Sequence, residues 1–113
     1  MRSEIRDSAF LRTILVPPFG VHNFRNPFKE RTQFIFSLPK SGRVSLQVFT
    51  RAGELVRKLI TNRHYDFGIH YYPWDGKNDA GQQLAPGVYI YVFDFIGDDG
   101  EHLTSKKKAV IIK

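Results

Sequence analysis

The sequence predicts an all-β protein folded as an antiparallel β-sandwich. Three observations carry that expectation. Short runs of β-branched and aromatic residues alternate with turn clusters at intervals of about ten residues. No helical spacing of apolar residues follows residue 20. Aromatic residues make up 14% of the chain, and 10 of them are Phe, a composition suited to strands and a filled core.

The elements follow in order. Residues 1–20 read as a leader or linker segment and residues 21–113 as the sandwich domain. In the leader, Ile5, Phe10, Ile14 and Leu15 line one side of a short helical pattern. Pro17-Pro18 and Pro27 break any longer helix, and Gly20 and Asn23 are turn residues. Val21 to Phe24 is a candidate first strand. Thr32 to Leu38 is a strand ended by Pro39-Lys40-Ser41-Gly42. In Arg43 to Thr50, Val44, Leu46 and Val48 share one face while Arg43, Ser45 and Gln47 share the other. Arg51 to Glu54 is a tight connection, and Leu55 to Ile60 resumes the strand pattern. A polar stretch from Thr61 to Asp66 leads into a strand from Ile69 to Trp74. Asp75 to Gln83 is a loop rich in Gly, Asn and Asp. Gly87 to Ile96 is the strongest strand, Gly97-Asp98-Asp99-Gly100 is a hairpin turn, and a last strand runs from His102 to Ile112 with an interruption near Ser105. The expected core is Phe34 or Phe36, Val44, Leu46, Val48, Leu59, Trp74, Val88 or Tyr89, and Val92. Residues 34–36 and 88–93 are apolar on both phases, so the inward phase stays open. Two apolar faces imply that residues 1–20 or a partner cover one of them.

Composition narrows the function. A chain of 113 residues, 42% apolar and 25% charged, is one globular domain. The longest uncharged apolar run, Ile14 to Gly20, is too short to span a bilayer as a helix, so no transmembrane segment is expected. Met1 to Phe10 carries Arg2, Glu4, Arg6 and Asp7 without an apolar h-region, so no secretory signal is read there. Cysteine is absent, which excludes disulfides, thiolate metal sites and a cysteine nucleophile. The net charge of +6 permits weak binding to polyanions without naming a partner.

Few residues point to chemistry. Trp74-Asp75-Gly76 reads as structural: a strand-end Trp buries about 2–3 kcal/mol of apolar surface, Asp75 accepts loop N–H groups, and Gly76 reverses the chain. Its rival is a sugar-stacking platform of Tyr71, Tyr72 and Trp74. Asp75, Asn78 and Asp79 are oxygen donors within a short loop, but they fall short of a calcium shell and do not fit EF-hand spacing. A self-bonded Asx loop is the expectation, with Asp98-Asp99 a turn on the same grounds. His22, His64, His70 and His102 show no zinc-pair spacing, and no nucleophile elbow or phosphate-binding glycine loop is present. No enzyme, no metal and no cofactor is therefore expected. Lys106-Lys107-Lys108 alternates across a strand, so at least one lysine is expected to approach the core side or to sit at a bulge or strand start. Nucleic-acid binding calls for more bases and exposed stacking aromatics, and no nucleic-acid partner is expected.

Five phrases in order carry a family resemblance. They are Asn26-Pro27-Phe28; Phe36-Ser37-Leu38-Pro39-Lys40-Ser41-Gly42-Arg43-Val44-Ser45-Leu46; Gly53-Glu54-Leu55-Val56-Arg57; Trp74-Asp75-Gly76-Lys77-Asn78 with Gly81; and Ala85-Pro86-Gly87-Val88-Tyr89. The chain closes on Lys106-Lys107-Lys108-Ala109-Val110-Ile111-Ile112-Lys113. This series resembles the immunoglobulin-like domain of the flagellar hook-capping protein and the related C-terminal sorting domain of type IX secretion cargo. The resemblance covers residues 22–113. It implies an immunoglobulin-like sandwich of about seven strands. It also implies a non-catalytic module for export or surface attachment of a secreted protein, located outside the cell or on its surface. The alternatives are a structural subunit or spacer in an extracellular assembly, and a carbohydrate-binding module. Trp74, Asp75, Gly76, Gly87 and Tyr89 are the structural motif residues. Lys106, Lys107, Lys108 and Lys113 are the candidate interaction residues. The implied partners are proteins: export machinery, neighbouring domains or subunits.

Overall fold

Alternation sets the layers. Along Gly42–Thr50, Gly42, Val44, Leu46 and Val48 are buried while Arg43, Ser45 and Gln47 turn outward, the period-two signature of a strand with one face on a core. The structure, a computed structural model, describes residues 18–113. Within them lie seven strands: β1 (Gly20–Phe24), β2 (Thr32–Leu38), β3 (Gly42–Thr50), β4 (Leu55–Tyr65), β5 (Gly68–Trp74), β6 (Gly87–Gly97) and β7 (His102–Ile111). They form a three-stranded sheet, β1-β2-β5, and a four-stranded sheet, β4-β3-β6-β7. Every strand pair is antiparallel, and the described residues contain no helix. This is the immunoglobulin-like sandwich that the sequence predicts. The helical pattern expected through Ile5, Phe10, Ile14 and Leu15 lies outside the described residues, as does any covering role of the leader before Pro18.

The core is aromatic and comes from both inner faces. Phe34 and Phe36 both point inward from β2, two residues apart as one strand face requires. Opposite them stand Tyr91, Phe93 and Phe95 of β6. Phe34 meets Tyr91 edge-on at 4.8 Å, and Phe36 lies 5.0 Å from Phe93. Phe19, just before β1, stacks on Phe93 at 5.5 Å. The inward phase of β6 is therefore Tyr89, Tyr91, Phe93 and Phe95. Val92, expected in the core, faces the other way: it pairs across the strands with Gln47 on the outer side of the sheet and is half-buried there.

β4 and β7 depart most from the sequence reading. β4 continues through Thr61–Tyr65 instead of ending at Ile60, because that polar stretch still pairs with β3, Arg43 facing His64 and Gly42 facing Tyr65. Register shifts along this pair put both Leu59 and Ile60 inside, as a bulge does when it breaks strict alternation. β7 runs without interruption at Ser105, its register with β6 continuous from Gly87–Ile111 to Ile96–His102.

Gly42 marks the tightest approach in the four-stranded sheet. A Cβ there would lie 2.4 Å from the Ile96 carbonyl oxygen and 2.7 Å from Gly97 Cα. Backbone cannot swing aside as a side chain can. Gly42→Ala is expected to destabilise the domain by about 2 kcal/mol through forced separation of β3 from β6. A urea unfolding midpoint equal to that of the parent chain would contradict this.

Candidate functional site

Three neighbourhoods gather the residues of interest: the loop after β5, the attachment of β7, and the outer face of the four-stranded sheet. The loop begins where β5 delivers Trp74 into the core. Trp74 is 1% exposed, its ring 5.5 Å from Phe28 and 6.0 Å from Phe34. Its Nε1–H donates to the Lys77 carbonyl at 3.0 Å, so the one polar atom of the indole is satisfied at the loop. Asp75 Oδ1 accepts the Lys77 N–H at 3.1 Å. Gly76 adopts φ 72°, and a Cβ there would stand 2.9 Å from Gln83 Nε2, so the turn is built for glycine. At the loop's far end Tyr89 anchors the start of β6, its hydroxyl donating to the Ala85 carbonyl at 2.7 Å across the Pro86-Gly87 turn. Burial raises the Tyr89 phenol above its ordinary pKa.

The loop oxygens are occupied by the protein's own donors. Asn78 Oδ1 accepts the N–H groups of Ala80 at 3.0 Å and Gln82 at 2.9 Å. The Asp79 carboxylate accepts the Lys58 N–H at 3.1 and 3.3 Å, and the Asp79 N–H donates to the Val56 carbonyl at 3.0 Å. The loop thus lies along the outer edge of β4 and takes up its backbone groups. Arg57 fastens it, its guanidinium donating to the carbonyls of Lys77 at 3.0 Å and Asn78 at 3.2 Å beside Asp75 and Asp79. In the sequence Arg57 stands out only as the end of the Gly53-Glu54-Leu55-Val56-Arg57 phrase. Across the strands Arg57 pairs with the buried Val48, a base on the inner side of β4. Among the described residues no three His, Cys, Asp or Glu side chains gather closely enough to hold a metal ion.

β7 is attached by a second device that the sequence named only as a phrase. The Asn26 side chain behaves like a short stretch of strand: Nδ2 donates to the Lys108 carbonyl at 3.0 Å, and Oδ1 accepts the Val110 N–H at 2.9 Å. Two residues on, Phe28 N–H donates to the Val110 carbonyl at 2.9 Å, and its carbonyl accepts the Ile112 N–H at 2.8 Å. Phe28 forms a parallel bridge with Ile111, and its ring is buried beside Trp74. The Asn26-Pro27-Phe28 phrase therefore joins the last strand to the loop through one aromatic contact.

The lysines lie on that strand. Lys106 and Lys108 face outward, opposite Val92 and Ile90. Lys107 shares the inward phase of Ala109 and Ile111, yet it is exposed. No bulge relieves it, since the register is unbroken. On an edge strand a long stem can reach past the sheet edge to water, in keeping with the exposure of Lys107. Lys113 is exposed beyond the end of β7.

The aromatic platform is divided by strand alternation. Tyr71 is 59% exposed on the outer face of β5, whereas Trp74 is buried on the inner one and Tyr72 packs against the core. The three rings do not share a surface.

Three of the histidines are exposed, and the half-buried His70 packs its ring against Phe36 and Tyr65. His22 is exposed. His64 approaches Asp98 at 3.1 Å, and His70 Nε2 lies 2.7 Å from the Asp66 carbonyl oxygen. His102 Nε2 stands 2.6 Å from Asp94 Oδ1, which also accepts the Thr104 hydroxyl at 2.7 Å. Partial burial pushes the Asp94 carboxyl up, but the Thr104 and His102 bonds outweigh it and hold it below the ordinary carboxylate range. The Thr104 hydroxyl, the carboxylate and the same imidazole nitrogen meet at one point, so the ring does not stand between base and hydroxyl as a proton relay requires. In the last hairpin, Asp99 Oδ1 accepts the Glu101 N–H at 3.0 Å and Asp99 Oδ2 pairs with Lys40 at 2.6 Å.

Comparison with known proteins agrees with this architecture. The profile of the FlgD Ig-like domain matches residues 26–93. No curated protein sequence matches the chain. Among solved structures, dimeric latent PorU from Porphyromonas gingivalis superposes with a TM-score of 0.68 at 22% identity, over 81% of this chain and 9% of that one. FlgD from P. aeruginosa superposes at 0.59 with 22% identity, over 72% of this chain and 62% of that one. PorZ, an essential bacterial surface component of the type IX secretion system of P. gingivalis, superposes at 0.51 with 13% identity, over 83% of this chain and 12% of that one. At these identities the likeness is one of fold.

Proposed function

Because the chain belongs to the FlgD Ig-like domain family, we propose that it is a non-catalytic structural module through which a secreted protein is exported or held at the cell surface. The observation that carries the reading is the attachment of β7. A strand bearing Lys106, Lys107 and Lys108 is fixed at the edge of the sheet by Asn26 and Phe28, which presents fixed positive charge to a protein partner. Fold likeness to PorU and to the surface component PorZ supports an extracellular or surface location. The family match favours a second reading, a structural subunit or spacer in an extracellular assembly. A sugar-binding role loses its platform with Trp74 inside the core.

The two readings separate in one experiment. Lys107→Glu and Lys113→Glu are introduced into the chain fused behind a reporter cargo in a host with the export machinery. Both side chains are exposed, so melting is expected to stay unchanged while export of the cargo stops. Normal export of the folded double variant would remove the basic signal and leave the structural-subunit reading.

A further inference from the structure

The outer face of the four-stranded sheet is apolar in the middle and cationic on both flanks. The cross-strand rows show it. Leu55 of β4, Phe49 of β3, Ile90 of β6 and Lys108 of β7 stand side by side, and the next row is Lys58, Gln47, Val92 and Lys106. A groove of about 290 Å³ runs over Phe49, Ile90 and Val92, walled by Arg51 and Lys106. Arg51, Lys58, Lys106 and Lys108 are exposed, and none forms an ion pair with an acid among the described residues. Asp94 of β6, on the same face, is held by Thr104 and His102, and Asp79 beside the β4 flank is held by the Lys58 N–H and lies 3.8 Å from Arg57.

We infer that this face docks an extended acidic segment of a partner protein, laid across the strands with carboxylates at i and i+4 and an apolar side chain at i+2. The dimensions match. Strands stand about 4.8 Å apart, so the flank on β4 and the flank on β7 are separated by about 14 Å. An extended chain advances about 3.3 Å per residue, so residues i and i+4, which project to the same side, are about 13 Å apart. The carboxylates then reach Lys58 on one flank and Lys106 on the other while the i+2 side chain enters the groove between Phe49, Ile90 and Val92. A second copy of this chain, with its net charge of +6, meets the face with like charge. The inference shares Lys106 with the export reading but not its test: export is read at Lys107 and Lys113, docking at Lys58 and Lys106 by binding alone.

The test titrates the intact chain with a synthetic peptide, Gly-Glu-Ser-Leu-Ser-Glu-Gly, followed by backbone amide shifts. Shifts centred on Phe49, Ile90 and Val92 are expected. Lys58→Glu combined with Lys106→Glu is expected to weaken binding by about tenfold with melting unchanged. A peptide with serine in place of leucine is expected to bind several-fold more weakly. Shifts centred elsewhere, affinity unchanged by the double charge reversal, or equal binding of the leucine-free peptide would each overturn the inference, the last by showing nonspecific attraction to negative charge.

Discussion

Trp74→Ala is expected to destabilise the domain by about 3–5 kcal/mol, a large share of the stability of a chain this size. The indole is 1% exposed and touches Phe28 and Phe34, so its removal opens a cavity between the sheets. It also leaves the Lys77 carbonyl without its indole donor at the place where Arg57 grips the loop. Urea unfolding followed by circular dichroism reads the loss as a lower midpoint. Trp74→Phe, which keeps most of the apolar volume but not the N–H, is expected to fall between parent and alanine variant. An alanine variant within about 1 kcal/mol of the parent would show that the sheets close over the gap, and would sink the role given to the indole.

Removing residues 109–113 is expected to leave the domain unfolded at 25 °C. The deletion takes away Ala109 and Ile111, which are 0% and 3% exposed, and with them the pairings to Gly87, Val88 and Tyr89 of β6. It also strips Asn26 Oδ1 and Phe28 of their strand partners. Burial and pairing together amount to several kcal/mol, comparable with the roughly 5–15 kcal/mol that holds such a domain together. Deleting Lys113 alone, an exposed residue beyond the strand, is expected to change melting little. Dispersed amide resonances from the longer deletion would show that β7 is dispensable to the fold.

Legibility followed the range of the interactions. β2 and β3 were readable because alternation and the Pro39–Gly42 turn are local. The second half of β4 was not. Thr61 to His64 are exposed polar residues, and only their pairing with β3 makes them a strand. The inward phase of β6 was hidden because Val88, Ile90 and Val92 are as apolar as the residues that face the core. Trp74 was readable as a buried anchor from its size and its place at a strand end. Its fastening by Arg57 was not, since the contact depends on how β4 lies beside the loop. Asn26 is the clearest case. Its partners are 82 and 84 residues away, and no local pattern announces a side chain that substitutes for a strand.

The Asn26 and Phe28 attachment also bears on how the domain answers a pull. The segment around Phe28, which follows β1, runs parallel to the end of β7. Tension between the residues entering the Asn26–Phe28 segment and those leaving β7 therefore draws these two elements past one another lengthwise. The four hydrogen bonds linking Asn26 and Phe28 to Lys108, Val110 and Ile112 lie across that motion and strain together instead of opening in turn. A module linked in series between a cargo and an anchored surface would resist detachment as a shear fastening resists it, yielding abruptly at high force. The same β7, peeled sideways from its end, would give way one bond at a time. The sandwich is thus anisotropic: firm along its length and weak to a pull on the tip of its last strand.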